Sequence, residues 1–245
     1  MEPSTARWAV VLQGDEWELD EARYLFGSKS EVRVCKAELP RTKRETVLLA
    51  REFENLSDAF QVHISAQRIL ALVNGILFID DSARSPLRAH SVYGRADDGR
   101  WNDGAMYLGP VNAVLGARLR VRDTADAPPH TTWLSSAVSD DVVSDVLTFL
   151  RGDPDWFDLY KAFERMRDDI NRSLGQGKLQ VIGWPATDHF RQSAQVYRHS
   201  PSQWPLGYNM TNAMQTSEAR VFVQELTRVW LRWRYPVAAP SRSGF

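Results

Sequence analysis

Apolar residues are densest along the chain at residues 57–79. The second half of this stretch, Ile69–Ile79, is interrupted at only two positions. A helix that is apolar nearly all round lies inside a fold, with other elements packed on several sides. Ser57 is a good N-cap, and Asp58 suits the positive end of the helix dipole. The pattern therefore predicts a central helix at 57–79.

Shorter apolar and alternating segments surround this helix and predict β-strands. Trp8–Leu12 is a continuous apolar run, typical of a buried strand, and Glu31–Leu39 alternates until a proline ends it. Residues 46–53 fit either a third strand or a short helix. Beyond the helix, Asp-Gly turn signals indicate a β-meander that reaches residue 121. The sequence thus predicts a β-rich N-terminal half packed on one central helix.

An acidic segment follows the first predicted strand, at residues 14–22. If this segment is extended, Glu16, Glu18 and Asp20 share one face of a strand. Clustered carboxylates can bind a divalent cation, but the solvated side of a strand has the same pattern. We favour the solvated strand and predict no metal site.

The C-terminal half is predicted to be helical. Residues 124–136 contain a Pro-Pro pair and are interpreted as a linker, because proline breaks regular elements. Apolar residues at helical spacing then predict a bundle of about four helices within 137–235, and the tail at 236–245 is interpreted as disordered. The prediction is an α+β protein, with a β-rich domain at 1–123 and a helical domain after the linker.

Composition narrows the functional class. The chain of 245 residues is 43% hydrophobic and 25% charged, with a net charge of −1, as is ordinary for a soluble globular protein. This balance provides no dominant electrostatic surface for nucleic acid. A single cysteine excludes an intrachain disulfide and a cysteine-based zinc site, which fits a reducing cytoplasm. The apolar run at 69–79 is shorter than a membrane span requires, and no segment resembles a signal peptide.

Three polar residues lie along the otherwise apolar central helix. His63, Gln67 and Asn74 are spaced i, i+4 and i+11, so they form one stripe. Buried polar groups need hydrogen-bond partners. Backbone groups of a neighbouring strand are the favoured partners, and a bound ligand is the alternative.

Three arginines alternate with apolar residues near the end of the first half. On a strand, Arg118, Arg120 and Arg122 would line one face. Such a row can hold phosphate or carboxylate groups, including those of a nucleic acid. A charged edge strand that discourages aggregation has the same pattern and is the favoured interpretation.

Polar residues of the helical half form a second candidate site. Glu164 belongs to a polar strip on one predicted helix, His189 lies on the next, and Arg220 lies on the last. If these helices pack by their apolar faces, a histidine near carboxylates could act as a general acid or base. An inter-helix salt-bridge network is the favoured alternative.

The helical half resembles bacterial proteins of unknown function. The resemblance covers about a third of the chain and is carried by Trp156–Glu164, Phe190–Ala194, Glu218–Ala219 and Trp230–Leu231. It implies a bacterial cytosolic origin and no particular activity or cofactor.

These observations favour a soluble, cytoplasmic interaction or sensor protein that acts through protein contacts, either with a partner or as a homo-oligomer. A component of a bacterial stress or defence system is one example of this class. The nine tryptophans and the excess of arginine over lysine, 25 to 5, suit such contacts. Known catalytic, nucleotide-binding and calcium-binding motifs are absent from the sequence, and no cofactor is predicted. The alternatives are a hydrolase with a site around Glu164 and His189, and a nucleic-acid-binding protein that uses the arginine row.

Overall fold

A computed structural model describes residues 5–27, 31–40, 44–80, 85–96, 98–102, 106–107 and 130–236. The chain forms two compact units. The first unit runs to Ser139 and also includes Arg151–Asp153, whereas the second comprises Asp140–Leu150 and the chain from Pro154 onwards. The first unit combines a sheet with helices and the second is helical, so the predicted α+β class is confirmed.

The first unit is built on one antiparallel sheet. Its described elements are β1 (Trp8–Gln13), α1 (Glu16–Phe26), β2 (Val32–Ala37), β3 (Glu45–Ala50), α2 (Ala59–Ile79), β4 (Arg88–Gly94), β5 (Met106–Tyr107) and α3 (His130–Ser139). The strand order is β2-β3-β1-β4-β5. Helix α1 connects β1 to β2, and β3 lies between these two strands in the sheet. Helix α2 connects β3 to β4, and β1 lies between them. This is the split β-α-β topology of ferredoxin-like folds, extended by β5.

Helix α2 is the predicted central helix. It packs against β1 and β4, and every residue from Ile69 to Ile79 is buried. The helix begins at Ala59, because the Asp58 side chain accepts the Gln61 N–H at 2.9 Å and serves as the N-cap in place of Ser57. By length and composition α2 could cross a bilayer, but 72% of its most apolar window is buried in the structure, as in the core helix of a soluble protein.

The acidic segment after β1 is helical, so the extended interpretation was wrong. Asp15 caps α1 by accepting the Trp17 N–H at 3.0 Å. Glu16 and Asp20 lie one helical turn apart and both face Arg23, which pairs with Asp20 and lies 3.9 Å from Glu16, whereas Glu18 is buried. The described part of the chain contains no group of three or more His, Cys, Asp or Glu residues suited to a metal ion.

The predicted linker is partly helical. Its residues 130–136 belong to α3, which packs against α1 and α2. Trp133, Leu134 and Ala137 are buried there, and their burial explains why the helix extends into this segment. Residues 124–129 and the tail from 237 lie outside the described residues.

The second unit contains the predicted bundle. Its helices are α4 (Asp141–Phe149), α5 (Trp156–Leu174), α6 (Asp188–Arg198) and α7 (Thr216–Arg234), with short 3-10 turns at Leu179–Ile182 and Pro201–Gln203. Helix α5 packs against α4, α6 and α7. The most buried aromatic side chains, Phe163, Phe190 and Trp230, come from α5, α6 and α7.

Candidate functional site

The predicted polar stripe of α2 lines one cavity in the first unit. His63, Gln67 and Asn74 surround a volume of about 400 Å³, together with residues around the start of β4 and with Arg151. Every residue of this lining belongs to the first unit. The structure therefore brings together the three residues of the polar stripe, which the sequence analysis named as possible ligand-binding residues.

Asn74 bridges α2 and the chain that leads into β4. Its Nδ2 donates to the Leu87 carbonyl at 2.9 Å, and its Oδ1 accepts the Leu87 N–H at 2.9 Å. The backbone N–H and C=O of Leu87 are buried there, and the Asn74 amide supplies the hydrogen bonds that both groups need. Asn74 is therefore occupied by the fold and forms a fixed wall of the cavity.

His63 and Gln67 form a second polar pair. Gln67 Nε2 lies 3.0 Å from His63 Nε2. An amide nitrogen only donates, so His63 Nε2 accepts and the ring carries its proton on Nδ1. The ring is 9% exposed, and burial lowers the pKa of His63 below its ordinary value of 6.5. His63 is thus neutral at neutral pH, and its Nδ1 has no hydrogen-bond partner among the residues that the structure describes.

The charge of this cavity comes from two arginines that sequence reasoning missed. Arg88 begins β4, and Arg151 follows α4 where the chain returns to the first unit. Both side chains are exposed, and neither forms an ion pair with a carboxylate in the described residues. Among the described residues, the lining contains no acidic side chain, so Arg88 and Arg151 give this part of the cavity a positive charge.

A groove in the second unit is the other prominent concave surface. It has a volume of about 460 Å³ and is lined by Asp155, Trp156, Phe157, Tyr197, Arg198, His199 and Thr216; we call it the Phe157 groove. Trp156 stacks on Tyr197 with ring centres 4.7 Å apart and planes inclined by 13°. At the edge, Phe157 is 53% exposed. The groove therefore combines a rigid aromatic wall with an exposed aromatic rim.

Arg198 places a positive charge beside these rings. Its guanidinium carbon lies 4.2 Å from the ring centre of Tyr160 and 5.9 Å from that of Phe157. Both distances fall within cation–π range. No carboxylate in the described residues pairs with Arg198, whereas the nearby Lys161 pairs with Glu164 at 3.4 Å. The guanidinium is thus oriented by aromatic rings and its charge is not neutralised.

The predicted site around Glu164 and His189 is not assembled by hydrogen bonds. Glu164 pairs with Lys161, and His189 Nδ1 lies 3.1 Å from the Tyr208 hydroxyl. Within the described residues, no hydrogen bond or ion pair joins Glu164 to His189. Arg220 donates from Nε to the Pro154 carbonyl at 3.1 Å. The three side chains thus make separate contacts, and a general acid–base arrangement needs a carboxylate within hydrogen-bond reach of the histidine.

Charged side chains from α4, α5 and α7 form a hydrogen-bonded cluster in the second unit. Arg234 donates to Asp169 and to Asp140, both at 2.6 Å, and Tyr235 donates to Asp140 at 2.7 Å. Burial alone would raise the pKa of Asp140, but the hydrogen bonds from Arg234 and Tyr235 outweigh it and hold the pKa below 3.8. Trp230 Nε1 donates to Asp169 at 2.9 Å. The polar groups bind one another, so the cluster is a structural clamp.

The predicted arginine row, Arg118, Arg120 and Arg122, lies outside the described residues, and its role in binding phosphate or nucleic acid stays a prediction. Sequence reasoning missed Phe157 as well, although a signal existed. Phe157 falls beside the buried stripe of its helix, at a position where a solvent-exposed helix face usually carries a polar residue.

Compared with family models, with curated proteins and with solved structures, the chain shows no significant match.

Proposed function

We propose that the protein is a soluble interaction protein whose helical unit binds an acidic, apolar segment of a partner in the Phe157 groove. The observation that carries the proposal is the position of Arg198, held over Tyr160 and the exposed Phe157 with no carboxylate partner in the described part of the chain. Tryptophan, tyrosine and arginine are the residues most enriched among those that dominate binding energy.

The groove supports binding at a small entropic cost. The stacked rings of Trp156 and Tyr197 are already ordered, and preorganised groups lose little freedom when a partner binds. An apolar side chain of the partner would occupy the space between these rings and Phe157, removing exposed aromatic surface from water. Aromatic side chains also supply large contact areas.

Charge determines the chemistry of the partner. Arg198 would form bidentate hydrogen bonds with a carboxylate, for which its planar guanidinium is suited. Asp155 in the same lining is held at the start of α5, where its Oδ1 accepts the Phe157 and Asp158 N–H groups at 2.8 and 3.0 Å. Arg198 is the arginine of the lining, and it favours an acidic group on the ligand.

Native mass spectrometry of gently purified protein, compared with two groove variants, tests this proposal. We expect a complex with another protein or a homo-oligomer, the measured mass distinguishing the two. Arg198→Glu and Phe157→Ala should each weaken the complex by at least about tenfold, as loss of a dominant contact does.

Val221→Ala is the matched control, because Val221 is an apolar residue of similar exposure, 61%, on another helix of the same unit. This variant should bind as the wild type does. A wild-type protein that stays monomeric and partner-free, or a complex that survives both groove substitutions, would overturn the proposal.

A further inference from the structure

The cavity on α2 is chemically unlike the Phe157 groove. It lies wholly in the first unit and has an apolar floor, formed by Leu70 and Ala71. Its volume of about 400 Å³ lies within the range of small-molecule sites, which is roughly 300–1,000 Å³. Its described lining combines four apolar residues with five polar ones, so it offers both the apolar surface and the placed polar groups that small-molecule sites use.

The polar groups around this cavity have one sign of charge. Arg88 and Arg151 contribute two guanidinium groups, and none of the lining residues that the structure describes is acidic. Positive groups around a concave surface with low-dielectric walls concentrate the field and raise the local concentration of anions. Phosphate and carboxylate groups match the guanidinium fork.

The other polar side chains of the cavity, His63, Gln67 and Asn74, are uncharged. The Asn74 amide forms hydrogen bonds to the backbone of Leu87 through both its nitrogen and its oxygen. Among the described residues, no group accepts the proton on His63 Nδ1, but that nitrogen is buried from solvent. The polar group of the stripe that a ligand can reach is the exposed side chain of Gln67.

We infer that this cavity binds a small organic anion, one with a phosphate or carboxylate group on a compact apolar body. Arg88 and Arg151 bind the anionic group, and Leu70 and Ala71 pack against the apolar part. The side-chain carbonyl of Gln67, whose amide nitrogen is directed to His63, is available to accept a hydrogen bond from the ligand. The inference does not depend on the Phe157 groove.

Isothermal titration calorimetry on the full chain tests the inference with phenyl phosphate as the probe. Inorganic phosphate supplies the anion without the apolar body, and phenol supplies the body without the anion. We expect phenyl phosphate to bind more tightly than either, and its affinity to fall as salt is added. Benzoate then shows which anionic group is preferred; binding of either aromatic anion supports the inference, and binding of neither overturns it.

Two variants locate the binding. Arg88→Gln combined with Arg151→Gln should weaken phenyl phosphate binding by roughly a hundredfold, because two charge-assisted hydrogen bonds are lost. Arg100→Gln is the matched control, since Arg100 is a highly exposed arginine of the same unit outside this cavity. Equal affinity in the double variant and the wild type, with both folded by circular dichroism, would place any binding elsewhere and refute the inference.

Discussion

His63 is a buried histidine whose surroundings favour the neutral ring. Its Nε2 accepts a hydrogen bond from Gln67, and burial lowers its pKa below 6.5. In the unfolded chain the same residue titrates near its ordinary value. The unfolded state therefore binds a proton more readily than the folded state over the interval between the two pKa values.

This difference predicts that acid selectively destabilises the first unit. The contribution of His63 to stability is fully present above the unfolded pKa and is lost as pH falls toward the folded pKa. The free energy of unfolding should therefore decrease as the pH falls through the unfolded pKa of about 6.5 towards the lowered pKa of the folded state. In the His63→Gln variant this decrease should be less steep. Urea unfolding at a series of pH values measures both slopes.

His199→Gln provides the comparison, because His199 is exposed. Because His199 lies in the second unit, unfolding of the first unit in this variant should depend on pH as it does in the wild type. If His63→Gln also retains the full wild-type slope, the ring of His63 is not the group responsible.

At the scale of elements, the charged clamp fixes three helices of the second unit. Asp140 caps α4, Asp169 lies on α5, and Arg234 ends α7. Asp169 is 5% exposed and also accepts from Trp230. A buried charge that loses its partner is strongly destabilising, whereas removal of both charges is much less so.

The clamp predicts a non-additive pair of substitutions. Arg234→Gln should lower the free energy of unfolding by about 3 kcal/mol, because it leaves the Asp169 carboxylate buried without its cation. Adding Asp169→Asn should restore part of that loss, since the amide oxygen can still accept from Trp230. Urea unfolding of the four proteins in this double-mutant cycle measures the coupling.

Arg191→Gln is the control for the loss of an arginine. Arg191 pairs with Asp188 at 3.6 Å on the exposed side of α6, and such pairs contribute less than about 1 kcal/mol. Additive effects of Asp169→Asn and Arg234→Gln would show that the clamp does not act as a unit.

At the scale of the whole molecule, the chain passes between its two units more than once. It leaves the first unit after Ser139, forms α4 in the second, and returns for Arg151–Asp153 before the remaining helices. Four aliphatic side chains of α4 and its C-cap are fully buried: Val143, Val146, Leu147 and Leu150. A domain boundary therefore lies before α4, and the return segment supplies Arg151 to the cavity of the first unit.

This connectivity predicts where the second unit can be separated. Residues 140–236 should fold as a helical unit, whereas residues 154–236 should not. Removing α4 withdraws four buried aliphatic side chains, each worth about 1.5 kcal/mol, a sum comparable with the stability of a small domain. Circular dichroism during thermal unfolding tests both fragments. Cooperative unfolding of the shorter fragment, or its absence in the longer one, would contradict this division.

Local sequence patterns were sufficient to predict the elements that are buried on nearly all sides. The apolar run of α2 and the short run of β1 predicted a buried helix and a buried strand, because such segments lie in a core whatever their neighbours are. Apolar residues at helical spacing also predicted a bundle of about four helices in the C-terminal half, where α4 to α7 are observed. Residues 14–22 were misassigned, because alternation over a few positions also fits an amphipathic helix, and the Asp15 cap decided between them.

The sequence by itself determined the fold class, the main helices and the polar stripe of His63, Gln67 and Asn74, since these follow from periodicities of two and 3.6 residues. Only the tertiary structure decided which distant residues meet. The order of the strands, the meeting of α2 with Arg88 and Arg151, and the separate contacts of Glu164 and His189 all depend on chain crossings over long sequence separations. Local periodicity places a residue on a face of its own element, and the packing of that element decides what the face meets.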